Sequence, residues 1–191
     1  MVYIKWVFWG CFWLIVGGFV QYTVPQHDIV RVSDTYEKRV DFGENSIFWA
    51  NQGTGEAEGI ASRDVFFIQT VQPNRKVMVY RNEDTGWGWP PYFKFDTANL
   101  QAEASDLKST SEAPKWVAIK HYGWRNEFLS IYPNAMSVWT VSGPDARVIP
   151  WIGILVVLLI GAFAWGIWAR WKRFRENRIN PVVDDWTDGW G

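Results

Sequence analysis

The stretch from Ile149 to Trp168 reads IPWIGILVVLLIGAFAWGIW and carries no charged residue. As a helix rising about 1.5 Å per residue it reaches about 30 Å, the thickness of a hydrocarbon core. Arg170, Lys172, Arg173, Arg175 and Arg178 follow at once. Such a cluster beside a span stays in the cytoplasm, because translocating it against the membrane potential is unfavourable. Trp151 marks one interface of this span, and Trp165, Trp168 and Trp171 mark the other. At those depths an indole keeps its ring in apolar surroundings and its N–H wet.

Toward the other end lies a second apolar run, Trp6 to Val20. From Ile4 to Tyr22 it reaches about 28 Å as a helix. Lys5 snorkels to the headgroups from the first turn, and Pro25 stops the helix. A cleaved signal peptide is the rival reading, with Val16-Gly17-Gly18 as the small-residue site. Against it, a single Lys precedes the run, the core is heavy with Trp and Phe, and no Ala-x-Ala follows. The expectation is an uncleaved anchor. Two spans place both termini in the cytoplasm and the middle outside, which for a protein of a bacterial inner membrane means the periplasm. The chain divides into a first span at 3–24, an outer domain at 25–148, a second span at 149–169 and a cytoplasmic segment at 170–191.

Small residues suggest faces where helix backbones approach: Gly10 and Gly17 on the first span, Ala162 and Gly166 on the second. The Trp6, Trp9 and Trp13 stripe reads as a lipid- or partner-facing surface, since no His or Met ligand stands near it. Of 191 residues, 15 are Trp, many more than a soluble domain of this size carries, and the formal net charge of -1 provides no field for nucleic acid. Cys11 is the sole cysteine, which excludes an internal disulfide and a thiolate metal cluster. The apolar run continues past it to Val20, so it reads as a small residue in a membrane helix and not as a lipid-attachment site.

Between the spans the polar middle reads as a β-rich α+β domain. Asp28 to Asp41 is extended, and Val65 to Val71 is a buried strand that Gln72-Pro73-Asn74-Arg75 turns into Lys76 to Tyr80. Asp96 or Thr97 caps a short helix through Lys108, whose Leu100, Ala104 and Leu107 share a face. Lys115 to Tyr122 alternates as a strand, Phe128 to Val141 holds one or two more, and Gly43 to Ser62 is a long loop. The expected architecture is a partly open barrel with one helix.

Asn82-Glu83-Asp84-Thr85-Gly86-Trp87 leads into Pro90-Pro91-Tyr92-Phe93-Lys94-Phe95-Asp96. His121-Tyr122-Gly123-Trp124-Arg125 and Ser130-Ile131-Tyr132-Pro133-Asn134 come later. With the two spans around them, over about residues 3 to 170, these segments resemble a family of small two-span envelope proteins of Gram-negative bacteria that has no assigned activity. The resemblance implies architecture and compartment and carries over no site residues.

No catalytic constellation stands out. Ser105-Asp106-Leu107-Lys108 has Ser-x-x-Lys spacing but lacks the companion motifs of acyl-transferring enzymes, and reads as a solvated helix face. Two glutamates in Gly53-Thr54-Gly55-Glu56-Ala57-Glu58-Gly59 repel phosphate, which leaves a plain loop. Asn82, Asp84 and Gly86 faintly resemble a calcium loop without its terminal bidentate acid, so a tight turn is preferred. His27 and His121 have no ligand partner at metal spacing and read as structural or exposed histidines. No cofactor or metal is therefore expected.

The tail is the most suggestive surface. Trp186 and Trp190 sit among Asp184, Asp185 and Asp188 at a polar end too short to fold alone. Aromatics flanked by acids suit a basic, apolar groove on a membrane-protein partner. The competing reading folds the tail back onto its own Arg/Lys cluster. The expected function is non-enzymatic: an anchored domain that binds or organises another membrane component. An accessory subunit of a respiratory or photosynthetic complex is the first alternative. A cell-wall enzyme or glycan-binding module using Trp87-Gly88-Trp89 is the second.

Overall fold

The computed structural model describes residues 2–41 and 62–180. The chain forms two units, Met1–Pro150 and Trp151–Gly191.

The first unit opens with helix α1, Val2–Thr23. Val24 donates its N–H to the Val20 carbonyl, the buried Pro25 ends the helix, and strand β1, Gln26–Asp41, begins at the next residue. Strands β2, Ser62–Val71, and β3, Val77–Asn82, form the hairpin expected around Gln72 to Arg75. Helix α2, Thr97–Asp106, is capped by Asp96, whose carboxylate accepts from the Asn99 N–H at 3.1 Å. Strands β4, Val117–Tyr122, and β5, Asn134–Thr140, complete the sheet.

The strand order is β1-β2-β3-β5-β4, closed through pairing of β4 with β1. That order, with a helix between the third and fourth strands, is the connectivity of the Greek-key barrel called the OB-fold. The fold alone implies no activity. Alternation selects the core: Val30 and Val32 of β1, Ile68 and Thr70 of β2, and Val117 and Ile119 of β4 point inward and are fully buried. Tyr80, Ala135 and Val138 join them, and α2 lays Leu100 and Ala104 against the cluster, with Leu107 packing beside them.

Closure differs from the partly open barrel expected. The β3–β5 seam is parallel and has one registered pair, Arg81 opposite Asn134. The Asn134 side chain supplies what the short ladder lacks. Its Oδ1 accepts the Glu83 N–H at 2.9 Å and its Nδ2 donates to the Glu83 carbonyl at 3.0 Å, so an amide side chain stands in for a strand residue. Beside it, Arg81 N–H donates to the Pro133 carbonyl, and the buried Arg81–Glu83 ion pair spans 3.1 Å. Residues 128–141 contribute one named strand, because Phe128 and Leu129 sit in a turn closed by the Asn126–Ile131 bridge.

Two register shifts bend the sheet. Ser33 is the extra residue of β1, just beyond the point where pairing passes from β4 to β2. Across β4 and β5, Lys120 faces Ser137 but His121 faces Ala135. Bulges of this kind re-aim side chains.

The second unit holds helix α3, Trp151–Phe174, which continues as a π-helical turn, Arg175–Ile179. Arg170, Lys172 and Arg173 belong to this helix, and Arg175 and Arg178 to the turn that continues it. Arg and Lys are good helix formers, and Lys172 pairs with Glu176 at 3.8 Å one turn on. Both α1 and α3 are long and apolar enough to cross a membrane by length and composition. Leu14 of α1 is 76% exposed and Leu158 of α3 is 65% exposed, apolar surface that water does not stabilise.

Candidate functional site

Three polar side chains meet at the end of the barrel that adjoins α1. Asp28 comes from β1, Tyr80 from β3 and His121 from β4 beside the register shift. The Tyr80 hydroxyl donates to Asp28 Oδ2 at 2.5 Å. His121 Nε2 stands 3.1 Å from the same oxygen, close enough for an ion pair though poorly aligned for a hydrogen bond. The Tyr80 and His121 rings lie 5.1 Å apart.

Burial alone raises a carboxyl's pKa. At Asp28 that push is outweighed by the adjoining His121 and by the Tyr80 hydroxyl, so its pKa falls below 3.8. Burial, then the neighbouring Asp28 charge, pushes Tyr80 well above 10. On the opposite face of β1, His27 packs its ring edge-on against Trp139, and partial burial with Lys120 and His121 nearby lowers its pKa from 6.5.

A cleft of about 510 Å³ opens over this cluster. Asp28 and His121 line it, with four amides, Gln21 from α1, Gln26 from β1, Gln72 from the β2–β3 turn and Asn126. Trp124 and Arg125 form part of its wall. The Arg125 guanidinium donates to the Ile131 carbonyl at 3.0 Å and sits 4.5 Å over the Tyr132 ring, which holds that wall in place. His121 is 4% exposed, and its Nδ1 is buried with no hydrogen-bond partner among the described residues. Chemically the cleft offers one carboxylate, one imidazole, one guanidinium and several amides, and its lining includes no serine or cysteine. Among the described residues no group of three or more His, Cys, Asp or Glu is placed to hold a metal ion.

A smaller recess of about 250 Å³ lies along β1 and β2, lined by Tyr36, Lys38, Phe67 and Tyr132. Tyr36 stacks on Phe67 at 5.4 Å, and Tyr132 meets Phe67 edge-on.

The residues singled out from sequence lie elsewhere. Lys5 sits in the first turn of α1. Trp151 opens α3, and Trp165, Trp168, Arg170, Trp171, Lys172 and Arg173 follow along it, with Arg175 and Arg178 in the π-helical turn. All are exposed, and Lys172 Nζ lies 5.8 Å from the Trp168 ring. Asp184, Asp185, Trp186, Asp188 and Trp190 lie outside the described residues, as does most of the Gly43 to Ser62 loop. Sequence reasoning missed the Asp28–Tyr80–His121 cluster, whose members are brought together only by barrel closure.

Known proteins match this chain with little chemistry attached. The model of the DUF1523 family, described as a protein of unknown function, matches residues 1–175, and the chain belongs to that family. A relative from Haemophilus influenzae, described as an uncharacterized protein, is 42% identical over 147 residues, covering 75% of this chain and 79% of the relative. No solved structure matches the chain.

Proposed function

We propose that this chain is a non-enzymatic, two-span protein of the bacterial inner membrane, and that its periplasmic barrel receives the hydroxyl-rich polar part of another membrane component in the cleft over Asp28 and His121. The observation that carries this reading is the buried, unpartnered His121 Nδ1 at a cleft lined by amides. Buried polar atoms are nearly always satisfied, and one left open in a concave site fits a place reserved for a ligand. A carboxylate accepts from hydroxyls, amides both donate and accept, and an indole wall stacks on the apolar face of a sugar ring. Gln21 belongs to α1, so a group held here stays within reach of the headgroups. The acidic, aromatic tail around Trp186 and Trp190 is proposed as a separate contact to a membrane-protein partner.

The test is mass spectrometry of lipids and lipid-linked sugars that survive purification of the full chain in mild detergent. A hydroxyl-rich species is expected with the wild type and at least tenfold depleted in a Gln21→Ala/Gln72→Ala variant that melts normally. Equal recovery from both, or none from the wild type, contradicts the reading.

A further inference from the structure

The loop between β3 and α2 exposes an unusual run of aromatics. Trp87 is 83% exposed, and Trp89, Phe93 and Phe95 are each more than half exposed. Trp87 meets Phe93 edge-on at 5.2 Å and lies 6.1 Å from Phe95, so these rings form one cluster. Trp89 stacks on Phe19 of α1 at 5.6 Å, with 14° between the planes, and the Tyr92 hydroxyl donates to the Thr23 carbonyl at the end of the same helix. The cluster is thus continuous with the outer end of the first apolar helix.

We infer that this loop is a second membrane-contact element, a preorganised wedge whose Trp87, Trp89 and Phe93 rings lie at the boundary between headgroups and acyl chains. The inference rests on the reading of α1 as a span. Three features fit a lipid surface. First, Thr85 to Phe93 contains no charge, and the flanking charges turn inward. The buried Lys94 ammonium donates to Asn82 Oδ1 and the Ala135 carbonyl, and Asp84 accepts the Thr97 hydroxyl. Second, part of the backbone is satisfied within the loop, as an apolar surrounding favours. Thr85 and Gly86 donate to the Lys94 carbonyl, Gly88 to Thr85 and Tyr92 to Pro90, while Pro90 and Pro91 have no N–H to satisfy. Third, Phe93 is held at a φ of 50° while its ring stays exposed. A bulky residue in that region is strained, and strain is retained where a ring must point in one direction. Interfacial Trp and Phe on a rigid loop anchor at little ordering cost.

The experiment places a nitroxide, one site at a time, in the full chain with Cys11→Ala, reconstituted in anionic lipid nanodiscs. Positions are Trp87→Cys, Phe93→Cys, Leu14→Cys as the reference for the span, and Ser105→Cys on the exposed face of α2 as the aqueous reference. Collision with oxygen and with a water-soluble nickel chelate is read at each. The wedge predicts oxygen-dominated collision at 87 and 93, as at 14, with the sign reversed at 105. Nickel-dominated collision at 87 and 93 with an oxygen-dominated 14 overturns the wedge and leaves the span standing. A nickel-dominated 14 removes the span and the wedge together. Shielding of 87 and 93 from both reagents means protein covers them, a second copy included, and also overturns the inference.

Discussion

Lys94 shows how one buried charge sets a pH response. Its ammonium loses solvation in the barrel, and although Asp84, Glu83 and Asp96 partly compensate, against Arg81, its pKa falls from 10.5 to about 7. Between those values the unfolded chain binds a proton that the folded chain does not, so stability rises with pH at up to roughly 1.4 kcal/mol per unit. Above 10 the trend reverses. Burial holds Tyr80, Tyr92 and Tyr122 protonated in the fold while their unfolded counterparts ionise. Thermal melts of the full chain in detergent are expected to show a stability maximum between pH 9 and 10 (about where these two trends cross), and Lys94→Met is expected to remove the rise from pH 7. Asp28 acts in the opposite window. A depressed carboxyl pKa stabilises the fold above the unfolded value, and that stability is lost as pH falls through the folded one. Asp28→Asn is expected to cost about 1 kcal/mol near pH 7, and the gap from wild type is expected to close as pH drops below 3.8. Neither group stood out in the sequence. His121 was legible only as a histidine without a metal partner, because its proximity to Asp28 depends on pairing between β1 and β4 and on a shifted register.

At the level of elements, the strands were legible where alternation is clean and bounded by turn residues. Val65 to Val71 followed by Gln72-Pro73-Asn74-Arg75 is such a case, and the hairpin formed there. The face of α2 and its Asp96 cap were equally local, hence readable. Closure was not, because β1 meets β4 only in the folded chain and the short β3–β5 seam leans on Asn134, a single amide in an otherwise ordinary strand. Asn134 satisfies both backbone groups of Glu83 and donates to the Tyr122 hydroxyl at 3.0 Å. Asn134→Ala leaves a buried donor and a buried acceptor open at the seam, each costing about 1–3 kcal/mol. The expected result is a loss of about 2–5 kcal/mol in chemical denaturation of the full chain, with amide exchange accelerated first in β3 and β5. A loss below about 1 kcal/mol with unchanged exchange would mean that the seam holds without its clamp.

Across the whole molecule, the apolar runs and the charges beside them were the most legible feature, because an apolar helix declares itself in consecutive residues and needs no tertiary contact. The structure supplies helices of suitable length at both places, Val2–Thr23 and Trp151–Phe174, while their insertion and orientation are proposals argued from charge placement. Five basic residues, Arg170, Lys172, Arg173, Arg175 and Arg178, stand at one end of the second run, and Lys5 alone stands before the first. Each extra cation held back near a span favours the cytoplasmic side, so this asymmetry dominates the choice of orientation. With the C-terminus inside, two spans return the N-terminus inside and leave the barrel outside. Cleavage of α1 would give the barrel the same compartment but a single anchor, so compartment alone does not separate the two arrangements. Reporter fusions at Gly55 and Gly191 are expected to report the periplasm and the cytoplasm respectively, and intact mass is expected to retain Val2. Opposite compartments with a mature start near Phe19 would identify α1 as a signal sequence. Both fusions in one compartment would remove the second span as well, since no other apolar run of this length separates those two positions.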